Sequence, residues 1–133
     1  MNASMTCFLV DDDVDDQEIF ESALKEIDPS IKCIIANDGT EALTRLSTDK
    51  RFTPDYIFLD LNMPGINGKQ CLAEIKKDAR FHSTPVIIYS TTVSERDMEE
   101  INSLGAKTFF TKPSRFSELC STLSDILGRQ IRA

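Results

Sequence analysis

Five short apolar runs alternate along the chain with longer segments in which apolar residues recur every three or four positions. Short apolar runs bounded by turn residues are typical of buried parallel strands, whereas the longer spacing is typical of amphipathic helices. The predicted strands are residues 6–10, 31–36, 56–59, 85–89 and 107–111. The predicted helices are residues 13–27, about 40–47, 68–78, 94–104 and 114–127. This alternation predicts an α/β fold, a doubly wound five-stranded parallel sheet with helices on both faces.

Helical spacing also predicts which side chains face the core. In the fourth helix Met98, Ile101 and Leu104 share one face, and in the fifth Phe116 begins an apolar stripe that continues through Leu119. Strands one, three and four are the most apolar, so we expect them at the centre of the sheet and strand five at an edge.

Length and composition fit one domain. The chain has 133 residues, of which 41% are hydrophobic and 28% charged. We expect residues 1–5 to be a flexible leader, 6–128 the domain and 129–133 a short tail. A net charge of −7 argues against nucleic acid or an anionic membrane as a partner. Four isolated cysteines are expected to be buried thiols in the cytoplasm.

Polar side chains follow four of the predicted strands, at the point where each strand ends. These are Asp11 and Asp12, Asp60, Ser90 and Lys112. Because the carboxyl ends of parallel strands meet at one edge, three carboxylates, a hydroxyl and an ammonium should converge there. Clustered carboxylates repel unless a cation compensates, and Mg²⁺ binds a few carboxylates together with water and phosphate oxygens. Asp60 is therefore predicted to accept a phosphoryl group, with Ser90 and Lys112 contacting its oxygens.

Four ordered motifs at these strand ends resemble response-regulator receiver domains of the chemotaxis type. They are Phe-Leu-Val-Asp-Asp at 8–12, Leu-Asp-Leu-Asn-Met-Pro-Gly-Ile-Asn-Gly at 59–68, Pro-Val-Ile-Ile-Tyr-Ser-Thr at 85–91, and Gly-Ala-Lys-Thr-Phe-Phe-Thr-Lys-Pro at 105–113. The resemblance covers nearly the whole chain. It implies the flavodoxin-like strand order 2-1-3-4-5.

The resemblance also assigns roles. It implies that a histidine kinase or a histidine phosphotransfer protein phosphorylates Asp60. Asp11, Asp12, Asp60 and the backbone carbonyl of Asn62 would hold Mg²⁺ or Mn²⁺. Ser90 and Lys112 would contact the phosphoryl group.

Three further positions follow from the same resemblance. Phe109 stands at the aromatic switch position, where a tyrosine is frequent, so a switch there must work by packing alone. Thr91 stands where a small alanine is frequent and is expected to restrict access to the acyl phosphate. Pro113 follows the lysine at a position where the family often has a cis peptide.

The implied function is a stand-alone response regulator in a phosphorelay. Phosphorylation would switch a docking surface on strand five and helices four and five for an unknown downstream protein, and a homodimer formed on phosphorylation is compatible with this. We do not expect an enzyme beyond self-catalysed phosphotransfer and autodephosphorylation.

Two alternatives remain. One is a receiver-like docking module that works without phosphorylation. The other is a small phosphatase with an aspartate nucleophile, although such enzymes need a second aspartate where Asn62 stands.

The additional acids Asp13, Asp15 and Asp16 are interpreted as a solvated helix N-terminus.

Overall fold

The computed structural model describes residues 5–128. The predicted tail, 129–133, and residues 1–4 of the predicted leader, 1–5, therefore lie outside the described residues. The strands are β1 Thr6–Val10, β2 Lys32–Ala36, β3 Tyr56–Leu59, β4 Val86–Ser90 and β5 Thr108–Thr111. The helices are α1 Val14–Ile27, α2 Gly39–Thr48, α3 Gly68–Lys77, α4 Glu95–Ser103 and α5 Phe116–Leu127, with a short 3₁₀ turn at Ala79–Phe81. All strand pairs are parallel and the order is 2-1-3-4-5, so the predicted fold is confirmed.

The register of the sheet brings the strand ends together. The ladder of β1 and β3 continues one residue past the end of β3, because the Asp60 N–H donates to the Val10 carbonyl at 3.0 Å. The ladder of β4 and β5 continues in the same way, because the Lys112 N–H donates to the Ser90 carbonyl at 2.8 Å. The polar residues that follow these strands are thus fixed at one edge by backbone hydrogen bonds.

Two hydrophobic cores cover the two faces of the sheet. Alternate strand residues such as Phe8 and Ile57 pack with α2, α3 and α4 on one face. Their neighbours Leu9 and Phe58 pack with α1 and α5 on the other face. Both faces of β1, β3 and β4 are buried, which explains why these strands read as continuous apolar runs.

The residue just before each helix caps most of the helix N-termini with its side chain. Asp13 caps α1 and Asp38 caps α2. Ser94 and Asp97 form a capping box at α4. Helix α5 begins at Phe116 instead of the predicted 114, and its N-cap residue Arg115 makes no side-chain capping bond.

Two side chains that were predicted to face the core are exposed. Met98 is 36% exposed and Phe116 is 45% exposed. Helix α4 buries only Ile101, because it leaves an open groove against the edge strand β5, and Met98 lines that groove. Phe116 is the first residue of α5 and lies beside Ile19 of α1 at the surface. The prediction was wrong at both positions because helical spacing identifies the apolar face of a helix but does not show how much of that face packs against the sheet.

The cysteines fit their predicted role as packing residues. Cys7, Cys71 and Cys120 are buried, Cys33 is partly buried, and all four are free thiols. Burial raises the pKa of Cys71 to about 12, so this thiol stays protonated at neutral pH. Among the described residues, no helix combines the length and the apolar character that crossing a bilayer requires.

Candidate functional site

Asp60 lies at the end of β3 with both carboxylate oxygens bonded. Its side chain is 7% exposed. Oδ1 accepts hydrogen bonds from the Asn62 N–H at 3.0 Å and from Ser90 Oγ at 2.8 Å, and Oδ2 accepts one from Lys112 Nζ at 3.0 Å. The carboxylate is therefore held in one orientation by three donors from three segments of the chain.

Lys112 is the cation of the site. Its side chain is 8% exposed, and Nζ lies 2.9 Å from Asp11 Oδ2, 2.7 Å from Asp16 Oδ2 and 3.0 Å from Asp60 Oδ2. Burial by itself would lower the pKa of Lys112, but the interactions with the three carboxylates outweigh it and raise this pKa above its ordinary value. Lys112 is consequently a permanent ammonium that compensates several acids.

Asp16 corrects the sequence-based interpretation of the acidic run. Asp13 caps α1 and Asp15 is exposed, as a solvated helix N-terminus would be. The Asp16 carboxylate instead binds the Lys112 ammonium, 96 residues away along the chain. The sequence contains no signal for this pair, because an acid in the first turn of a helix is favoured by the helix dipole alone.

Three carboxylates at this edge fit a divalent cation. Oxygens of Asp11, Asp12 and Asp60 lie within 4.8 Å of one another. Asp11 is fully buried, and its Oδ2 forms an ion pair with Lys112 Nζ at 2.9 Å but has no hydrogen bond of good geometry. Burial raises the pKa of Asp11 above its ordinary value, and the Lys112 ammonium and the Asp13 N–H do not fully offset it.

A buried carboxylate oxygen without a hydrogen bond is suited to a hard cation. Asp12 is exposed and leaves one side of the cluster open to water, which Mg²⁺ retains as a ligand. The residues present therefore fit the predicted metal. The carbonyl of Asn62 as a fourth ligand stays a prediction.

A hydrogen-bond network that the sequence did not reveal supports Asp11. Gln17 is buried in α1, and its Nε2 donates to the Asp11 carbonyl at 2.6 Å and to Asn37 Oδ1 at 2.9 Å. Asn37 N–H in turn donates to Glu41 Oε2 at 3.1 Å. The network joins the loops after β1 and β2, so it fixes the backbone that carries the metal-ligand candidates.

The remaining predicted site residues lie at different distances from the Asp60 carboxylate. Ser90 is fully buried and its hydroxyl also accepts a hydrogen bond from Asn62 Nδ2 at 3.2 Å. Thr91 is exposed just beyond it. Phe109 is partly buried on β5 and lines the groove of about 410 Å³ between α4 and β5. No peptide bond in residues 5–128 is cis, so the Lys112–Pro113 bond is trans, the ordinary isomer.

The family model for the response regulator receiver domain matches residues 7–124. The chain belongs to this family. Protein PilH of Pseudomonas aeruginosa strain PAO1 is 36% identical to this receiver domain over 93 residues, which are 70% of this chain and 74% of PilH. The domain therefore takes part in two-component signalling.

Solved structures agree with the fold of this receiver domain. The crystal structure of the phosphorylated cyanobacterial phytochrome response regulator RcpA superposes with a TM-score of 0.85 at 31% identity, covering 93% of this chain and 91% of RcpA. The Mn²⁺-bound form of response regulator Rcp1 superposes with a TM-score of 0.79 at 29% identity, covering 92% of this chain and 91% of Rcp1. That a relative binds a divalent metal supports the fit of the carboxylate cluster.

Proposed function

We propose that this receiver domain accepts a phosphoryl group at Asp60 in a reaction that requires Mg²⁺ or Mn²⁺. The donor would be a histidine kinase or a histidine phosphotransfer protein in the cytoplasm. The observation that carries the proposal is the position of the Asp60 carboxylate, which lies between the Lys112 ammonium, the Ser90 hydroxyl and two further acids. A carboxylate without a nearby cation and metal ligands would have no means of stabilising an acyl phosphate.

The proposed step forms one bond and breaks one. An oxygen of Asp60 attacks the phosphorus of a phosphohistidine, an O–P bond forms, the N–P bond breaks, and the imidazole leaves and takes up a proton. A bound Mg²⁺, held by Asp11, Asp12 and Asp60, would neutralise charge on the transferred oxygens. Lys112 and Ser90 then exchange their bonds to the carboxylate for bonds to phosphoryl oxygens. The domain promotes its own modification and turnover and is not otherwise an enzyme.

The proposed output surface comprises β5, α4 and α5. Ser90 ends β4, and its new contact with the phosphoryl group would move the loop that leads into α4. Lys69 of α3 forms ion pairs with Asp97 and Glu100 of α4, at 2.6 and 2.9 Å, and these hold α4 in its present position. The partly buried Phe109 lines the open groove beside α4, so repacking of Phe109 can accompany a shift of this helix. The phosphoryl group changes the population of such a state only through its differential contacts.

The test is Mg²⁺-dependent phosphorylation by acetyl phosphate, followed by intact mass spectrometry. We expect the wild-type protein to gain one phosphoryl group and Asp60→Asn to gain none. Asp125→Asn is the matched control, because Asp125 is an exposed acid on α5 and its loss should leave the gain unchanged. Chelation of the metal should abolish the gain.

Fast hydrolysis would hide the modification, so beryllofluoride serves as a second probe of the same site. Binding of beryllofluoride by wild-type protein with Mg²⁺, and not by Asp60→Asn, would support the proposal even without a stable mass gain. If neither probe acts on the wild type, the proposal fails and the phosphorylation-independent docking module is favoured.

A further inference from the structure

The Lys112 ammonium has three hydrogens and three carboxylate neighbours. Asp11 and Asp60 belong to the strand ends that form the site, whereas Asp16 comes from the first turn of α1. The shortest of the three distances, 2.7 Å, is the one to Asp16. An ammonium can donate three hydrogen bonds, and Lys112 donates one to Asp16 and one to Asp60, while Asp11 is held as an ion pair.

Asp16 is held firmly in this position. Its N–H donates to the capping oxygen of Asp13 at 3.1 Å, which fixes the first turn of α1. The next residue, Gln17, is buried and bonded to the Asp11 carbonyl, so this turn is tied to the site itself. The Asp16 side chain is 28% exposed and therefore partly shielded from water. The backbone that carries Asp16 is therefore fixed beside Lys112, and its carboxylate stays within reach of the ammonium.

The charges of the site show what Asp16 does. Asp11, Asp12, Asp16 and Asp60 carry four negative charges against the single positive charge of Lys112. When a divalent cation binds, the site keeps one negative charge in excess. When Asp60 then becomes a dianionic acyl phosphate with the cation still bound, the excess rises to two negative charges. Without Asp16 the phosphorylated site would carry an excess of one, and Lys112 would have a further hydrogen free for a phosphoryl oxygen.

We propose that Asp16 is a positioning residue that holds Lys112 and, through its charge, limits phosphoryl occupancy at Asp60. This inference rests on the proposed function. Asp16 would lower the phosphorylated fraction of this receiver domain at a given supply from the donor. The same charge would strengthen binding of the divalent cation in the unphosphorylated state.

Asp16→Asn is the informative variant, because it removes the charge while keeping nearly the same size. Asp15→Asn is its matched control. Asp15 lies on the same turn, so its loss changes the helix terminus by the same charge, but its side chain is exposed. Isothermal titration calorimetry of the full chain measures the affinity for Mg²⁺ alone first. It then measures the affinity for beryllofluoride at saturating Mg²⁺.

We expect Asp16→Asn to bind beryllofluoride about fivefold more tightly than the wild type, as the loss of one unit charge about 4 Å away would cause in a site open to water. Mg²⁺ carries twice the charge, so at a comparable distance its affinity should fall by about the square of that factor, about 25-fold. Asp15→Asn should change either affinity less than about twofold, since exposed charges are well screened. Acetyl phosphate should also modify a larger steady-state fraction of Asp16→Asn.

Opposite changes in the two affinities distinguish charge from structure. A purely structural role of Asp16 would weaken both ligands together, and that result would overturn the inference. Equal behaviour of Asp16→Asn and Asp15→Asn would overturn it as well, while leaving the proposed function intact. If the wild type neither binds beryllofluoride nor gains a phosphoryl group from acetyl phosphate, the proposed function itself fails and the inference fails with it.

Discussion

Gly68 begins α3 directly beside the backbone that carries Asp60. A Cβ added at this residue would lie 2.6 Å from Leu61 Cα and 3.0 Å from the carbonyl carbon of Asp60, and closer still to that carbonyl's oxygen. Carbon atoms in contact are normally about 3.5–4.0 Å apart, so the methyl group of Gly68→Ala overlaps the backbone by about 1 Å. Backbone cannot rotate away as a flexible side chain can. Helix α3 and the end of β3 must therefore separate.

We expect Gly68→Ala to lower the free energy of unfolding by about 3 kcal/mol, as overpacking against backbone does. A domain of this size has about 5–15 kcal/mol of stability, so the variant should still fold. The separation also moves Asp60 relative to Ser90 and Lys112, by a distance comparable with the tolerance of a hydrogen bond. Beryllofluoride affinity should consequently fall at least about tenfold, because a displacement of about 1 Å disrupts positioned groups.

Urea unfolding followed by far-ultraviolet circular dichroism measures the stability, and isothermal titration measures the affinity. Gly65→Ala is the control. A Cβ at Gly65 would meet no atom within 4 Å, but φ is +75°, so this change should cost only about 1 kcal/mol and leave beryllofluoride binding intact. Equal effects of Gly68→Ala and Gly65→Ala in both measurements would show that no steric overlap separates α3 from the end of β3.

Three further predictions concern single side chains. Ser90→Ala removes the hydroxyl that donates to Asp60, so we expect the acetyl phosphate reaction, followed by intact mass, to slow about tenfold while the fold remains. The Lys69 ammonium and the N–H of the helix cap lower the pKa of Asp97 to about 2, so this carboxylate stabilises the fold above about pH 4 and stops doing so as the pH falls toward 2. Asp97→Asn should therefore be less stable than wild type at pH 6, by about 0.5 kcal/mol for a pair open to water, and equally stable near pH 2 in urea titrations. Arg80→Met removes a guanidinium that donates to carbonyls at the end of α2, and thermal unfolding should show a loss of about 2 kcal/mol. An unchanged melting temperature would contradict that role.

The sequence was sufficient for the fold and for most of the site because both follow from local rules. Apolar runs located the strands, and the parallel order made Asp60, Ser90 and Lys112 converge whatever the details of packing. The position of a carboxylate that directly follows a buried strand is fixed by the end of that strand. The prediction at these positions needed only the direction of the strands and the position at which each ends.

The contacts of α1 could not be predicted in this way. Asp15 and Asp16 are adjacent acids in one helical turn, and only the docking angle of α1 decides that Asp16 binds Lys112 while Asp15 stays exposed. The bond from Gln17 to the Asp11 carbonyl depends on the same angle. Met98 was wrongly placed for a related reason, since periodicity defines a face but not the neighbour against which the face packs.

The position of Tyr89 gives this protein a built-in optical reporter. The chain contains two tyrosines and no tryptophan, so near-ultraviolet emission comes from Tyr56 and Tyr89 alone. The Tyr89 ring centroid lies 5.3 Å from Lys112 Nζ, whereas Tyr56 begins β3 at the opposite edge of the sheet. When the ammonium changes partners, the electric field across the Tyr89 ring changes with it. The unlabelled protein should thus signal occupancy of Asp60 through its own fluorescence, in real time and without an introduced dye.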